Sequence, residues 1–163
     1  MKQSSQQILS YIVGICAILN SCSATGPTFI DAKKSDSFAL IYIYRPNVFC
    51  GSARKPDISI NDNKILELQN NGYTQIYVKP GDIHIKASGI DNTPRLNTSL
   101  NINVETYKSY FIRYNVECEI FLFLVEPFAK FQLVEQSINL REISQTHYQP
   151  PLIEYVEPAE STK

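Results

Sequence analysis

Beyond residue 38 the apolar side chains fall at every second position. Ile58 and Ile60 alternate with Asp57, Ser59 and Asn61; Ile83, Ile85 and Ala87 alternate with His84, Lys86 and Ser88; Leu100, Ile102 and Val104 alternate with Asn101, Asn103 and Glu105. A period of two gives one buried and one wet face only on an extended strand. Two continuous apolar runs, residues 38–44 and 121–125, predict central strands covered on both faces. Asn61-Asp62-Asn63 and Asn70-Asn71-Gly72 tolerate the left-handed backbone of hairpin turns, and Pro80-Gly81 suits a type II turn. Strands are therefore expected near 38–45, 56–60, 64–68, 73–79, 83–88, 98–105, 108–117, 120–126 and 131–142. Their short connections predict an all-β domain, an antiparallel β-sandwich or open barrel. Ten Tyr and eight Phe fit that class.

The first 21 residues have another character. A polar start carrying Lys2 precedes an apolar run over residues 8–19, then Leu19-Asn20-Ser21-Cys22. A permanent membrane helix needs about 20 apolar residues; this shorter run suits the core of a signal peptide. The last four residues resemble the lipobox of bacterial lipoproteins, with an aliphatic residue three before the cysteine and small Ser21 directly before it. Cleavage between Ser21 and Cys22 is expected, with diacylglyceryl on the Cys22 sulfur and an acyl chain such as palmitate on the freed amine. Two or three chains anchor stably where one is marginal. Asn20 is polar where a small residue is usual. Cys16 is preceded by bulky Ile15 and is set aside. A plain signal peptide with an incidental cysteine, or a short N-terminal helix, are the competing readings. Ser23, in place of Asp, points by resemblance to known sorting rules to the outer membrane, with the domain in the periplasm.

The expected organisation is a lipoprotein signal peptide over 1–21, a flexible lipidated tether over 22–37, one β-domain over 38–146 and a Pro-rich, partly ordered tail over 147–163. The formal net charge of −1 offers no field for nucleic acid.

The search for chemistry is negative. His84 and His147 have no metal-ligand neighbour at a recognised spacing, and no nucleophile elbow, phosphate loop or dinucleotide fingerprint occurs. No catalytic residue, metal or cofactor is expected, and the chain is read as a non-enzyme. Cys50 and Cys118 remain after processing. Export would let them form a disulfide across a long loop, or they stay unpaired. Arg45 and Arg113 are candidates for an anion, or pack their stems on the sheet and pair with carboxylates. Tyr42, Tyr44, Tyr73, Tyr77, Tyr107, Tyr110 and Tyr114 either form a platform for sugar or divide between core and surface.

Several of these pieces occur in an order that resembles the domain of unknown function 2846 family of bacterial envelope proteins. They are Ile43-Tyr44-Arg45-Pro46, Gly51-Ser52-Ala53, the hairpin from Ile58 to Ile65, Gly72-Tyr73, the turn around Pro80-Gly81, and the strand from Tyr107 to Arg113. Asp62 replaces the family's usual hairpin glycine, and Leu66-Glu67 stands where Val-Gly is common. The resemblance implies a β-sandwich on a lipid anchor and no particular reaction. The expected role is a membrane-anchored envelope lipoprotein with a non-catalytic domain for a protein partner or envelope support. The alternative is a module binding peptidoglycan, glycan or a small ligand.

Overall fold

The computed structural model describes residues 23–89, 94–122 and 124–157. The expected signal peptide, Cys22 and the last six residues lie outside that range. Ten strands form two sheets: β1 (Ala39–Arg45), β2 (Asp57–Ile60), β3 (Asn63–Glu67), β4 (Gly72–Val78), β5 (Gly81–Ser88), β6 (Thr98–Val104), β7 (Ser109–Phe121), β8 (Leu124–Val134), β9 (His147–Tyr148) and β10 (Tyr155–Val156). A single α-helix among the described residues, α1 (Gln136–Ile143), follows β8.

The smaller sheet has the order β3-β2-β5-β6, all antiparallel. The larger has the order β10-β4-β1-β7-β8, with β9 also on β4. The two sheets pack as a sandwich and do not close into a barrel. Ile41, Ile43, Ile76 and Ile112 from the larger sheet meet Ile58, Ile60, Ile83 and Ile85 from the smaller, all at 2% exposure or less. The period-two residues of β2 and β5 thus face inward, as the alternation requires. Every residue of β1 is buried, because its other face is covered as well: Leu40, Tyr42, Tyr44, Tyr73 and Phe111 form a second core closed by Ile143 of α1.

Among the described strands five pairs are antiparallel, as expected, and three are parallel. β1 lies parallel to β7, and β9 and β10 lie parallel to β4. The intervening chain crosses through the smaller sheet before β7 arrives, which local turn residues cannot encode. The turns themselves are as expected: Asn61 (φ 48°) and Asp62 (φ 61°) close the β2–β3 hairpin, and Asn71 takes φ 55°.

Two C-terminal expectations are corrected. The run at 121–125 is no covered central strand: of its described side chains, Leu122 (φ 52°) and Val125 are exposed, and Val125 pairs with Ile120 across the β7–β8 hairpin in solvent. The expected last strand, 131–142, divides at Glu135 into the end of β8 and α1. Its Ile138-Asn139-Leu140 alternation suggests a strand, yet Leu, Arg, Glu and Gln favour a helix, and the helix seats Ile143 on Tyr44 and its neighbours.

The segments expected as tether and tail both pack on the sheets over their described residues. Residues 23–33 run across the outer face of the larger sheet. Phe29 packs edge-on against Tyr42 and Tyr73, each at 5.3 Å between centroids. The Tyr42 hydroxyl donates to Asp31 Oδ1 at 2.5 Å, and the Tyr77 hydroxyl donates to the Lys33 carbonyl at 2.7 Å. Composition alone reads this segment as a linker; one aromatic and the tyrosine hydroxyls below it hold it down. Gly26 is needed there, since a Cβ would collide with the Tyr148 carbonyl. The tail, in turn, supplies β9 and β10 and spans both sheets. Tyr77 N–H donates to the Glu154 carbonyl on the β4 edge, and Leu152 N–H donates to the Ile65 carbonyl of β3. Gln149 accepts from Gln69 N–H. Pro150 and Pro151 sit in the step between the two parallel pairings, where no ladder donor is required.

Candidate functional site

Strand directions define two ends. β1 finishes at Arg45 opposite Gly72, where β4 begins, and β7 runs parallel to β1 and past it. We call this end the crown and the opposite end, with the 105–108 turn and the Asn61 hairpin, the base.

The chain enters at the crown. Ser23 forms a parallel bridge with Asn70, and Ala24 N–H donates to the Asn70 carbonyl at 2.9 Å. Asn70 is 3% exposed. Its side chain accepts from Val48 N–H at 3.1 Å and donates to Asn47 Oδ1 at 2.8 Å. One residue thereby ties the entering chain to the loop after β1. His147 adds a second tie through Nδ1 and the Gly26 carbonyl, 2.7 Å apart; it is a fastening residue and not the start of a free tail.

The loop of residues 46–56 is clamped by Arg45. This side chain is 1% exposed, and its Nη1 and Nη2 donate to the carbonyls of Arg54 (2.6 Å) and Gly51 (2.8 Å). Its guanidinium lies 5.9 Å from the Tyr114 ring centroid. Among the described residues no carboxylate pairs with it, so burial lowers its pKa. Arg45 is enclosed and offers no anion site. Arg113 instead faces Glu142 of α1 at 3.3 Å, and Glu142 also accepts from the Tyr44 hydroxyl. Burial, then the Glu142 charge, hold that phenol well above its usual range.

Cys50 and Cys118 are joined as a disulfide, with Cα atoms 6.1 Å apart. The bond fastens the clamped loop to the β7–β8 hairpin, which continues eight residues beyond Arg113, or about 26 Å at the usual strand rise. Arg95 steadies the hairpin from the side by pairing with Glu119 and, at 2.8 Å, with Glu126. Large apolar side chains stand in water around this junction. Phe49 is 98% exposed, Ile120 80%, Leu122 73% and Val125 59%.

The tyrosines do not make one platform. Tyr42, Tyr44, Tyr73 and Tyr114 are buried. Tyr114 donates to the Leu96 carbonyl, and burial pushes its pKa up to about 12. Near the base, Tyr77 stacks on Tyr155 at 5.7 Å, with Phe38 beside both. These rings, with Lys33, Lys34 and Asp36, line an open groove of about 390 Å³. A larger cleft of about 620 Å³ lies between the entering chain and the Gln149 step. His84 stands on the outer face of β5 beside Asn101 and Asn61, away from His147. Among the described residues no group of His, Cys, Asp and Glu could hold a metal ion, and no helix is long and apolar enough to cross a membrane.

The sequence reading singled out Arg45 and the two cysteines but missed Asn70, Phe29 and Phe49. A lone Asn in an Asn-Asn-Gly turn reads as turn chemistry, and an isolated Phe in a loop carries no periodic signal.

A family model described as a protein of unknown function (DUF2846) matches residues 35–122. An uncharacterized protein of Haemophilus influenzae is 30% identical over 144 residues, covering 82% of this chain and 74% of the relative.

Proposed function

We propose, from the premise that this chain belongs to the DUF2846 family of proteins of unknown function, that it is a lipid-anchored envelope protein whose sandwich binds or braces another envelope component without catalysis. The observation that carries the reading is the Leu19-Asn20-Ser21-Cys22 sequence behind the apolar run of residues 8–19, placed immediately before Ser23. Both sheets are built from residues 39–156, so a cut before Cys22 leaves them whole. The Cys50–Cys118 bond suits an oxidising compartment outside the cytoplasm. The test is radiolabelled palmitate fed to cells making the full chain, with the mass of the mature protein. Label on the wild type, its loss in Cys22→Ser, and a mature chain beginning at Cys22 are expected. A chain that keeps residues 1–21, or carries no lipid, refutes the reading. In-cell cross-linking of the lipidated protein is then expected to give a discrete protein adduct.

One observation favours the alternative of a glycan module: the stacked Tyr77 and Tyr155 rings beside Lys33 and Asp36. Aromatic faces edged by polar groups suit sugar rings. Co-sedimentation with isolated cell wall, lost in Tyr77→Ala/Tyr155→Ala, supports that reading; no sedimentation of the wild type rejects it.

A further inference from the structure

The crown carries large exposed apolar side chains on two segments that the disulfide joins. Phe49 stands almost wholly in solvent, and the disulfide from the next residue, Cys50, brings it to the hairpin whose Ile120, Leu122 and Val125 are likewise exposed. Exposed apolar residues scattered singly require no explanation; several large ones gathered at one protruding end mark a contact surface. The entering chain identifies the partner. Ser23 is fixed to Asn70, and Asn70 holds Val48, the neighbour of Phe49. An acyl chain on Cys22 would therefore emerge at the crown. With residues 23–33 bound to the sheet, no slack tether lifts the domain away. A lipid attached at that point brings the crown, and no other part of the molecule, against the membrane surface. Arg54 lies in the same loop and is exposed, which suits an anionic headgroup layer.

From this we infer that the crown is a membrane-seating surface, in which Phe49 and Leu122 enter the acyl boundary of the bilayer beside the lipidated Cys22. The base, with the Tyr77–Tyr155 groove, then faces away from the membrane and toward any envelope partner. The inference rests on the lipid anchor proposed above.

The chain has no tryptophan, so one introduced indole reports its own surroundings. Full-length Leu122→Trp, Phe49→Trp and, at the base, Tyr107→Trp are to be produced in lipidated form. They are then reconstituted in phosphatidylethanolamine–phosphatidylglycerol vesicles with and without brominated acyl chains. Blue-shifted emission and strong bromine quenching are expected for L122W and F49W, with neither for Y107W. Water-like, unquenched emission from both crown variants overturns the inference. So does blue emission without bromine quenching, which would place the crown against a second copy of the chain. The mass of each mature chain separates the two failures. An unlipidated product removes the anchor reading and the seating with it, whereas a lipidated product with unquenched crown indoles removes only the seating.

Discussion

Replacing both Cys50 and Cys118 by alanine isolates what the cross-link contributes. The bridge joins positions 68 residues apart. In the chain-entropy model, opening a loop of that length returns about 15 cal/mol/K to the unfolded chain, or about 4.4 kcal/mol at 25 °C. Little should be lost in the folded state. Both cysteines are half-buried, and the loop is held independently by Arg45 on the Gly51 and Arg54 carbonyls and by Asn70 on Val48. For a domain of this size the cost corresponds to a fall in Tm of about 13 °C. The assay is thermal unfolding by circular dichroism, comparing the oxidised wild type, the wild type in reductant and the double variant. The last two should melt together, well below the first. A difference under about 1 kcal/mol between oxidised wild type and double variant refutes the reasoning. Two thiols titrating in unreduced protein refute its premise.

Asp62 occupies the second left-handed position of the β2–β3 turn at φ 61°, so Asp62→Gly should raise stability by about 0.5–1 kcal/mol, read as a higher urea midpoint at unchanged slope. Phe29→Ala removes the ring wedged between Tyr42 and Tyr73; a loss of about 2 kcal/mol is expected, with trypsin cutting after Lys33 or Lys34 before the sandwich itself unfolds. Alkaline pH should destabilise the domain in part through Tyr114. Its folded pKa of about 12 exceeds the ordinary 10.0, so its contribution is complete below pH 10 and falls as pH rises toward 12. The loss is on the order of 3 kcal/mol, and Tyr114→Phe should flatten that part of the stability curve.

What could be read from residues alone follows the range of each signal. Alternation in β2 and β5 and the Asn61-Asp62 turn act over a few positions, and they placed strands and hairpins closely. The β1–β7 pairing could not be read, because β6 and β7 are also neighbours in sequence and nothing near Ser109 marks Leu40 as its partner. Residues 121–125 misled because burial was inferred from apolar character, whereas Leu122 and Val125 lie on a tip that outruns the sheet. Residues 23–33 misled in the opposite sense. Small polar residues suggested slack, while the decisive contacts belong to Phe29 and to hydroxyls on β1 and β4. At the crown, both cysteines are visible as a pair, but the exposure of Phe49 follows only from seeing that no described residue packs above its loop.

The Gln149–Leu152 step has a consequence for how the protein is made. Among the described residues, β4 obtains its outer strand partners, and β3 the donor from Leu152, from residues 147–156, which follow every other strand of the two sheets along the chain. Until they arrive, β4 presents an open hydrogen-bonding margin to any neighbouring chain. A partly synthesised molecule therefore stays unlatched, and vulnerable to sticking along that margin. Residues 147–156 act as a latch that closes one margin of both sheets.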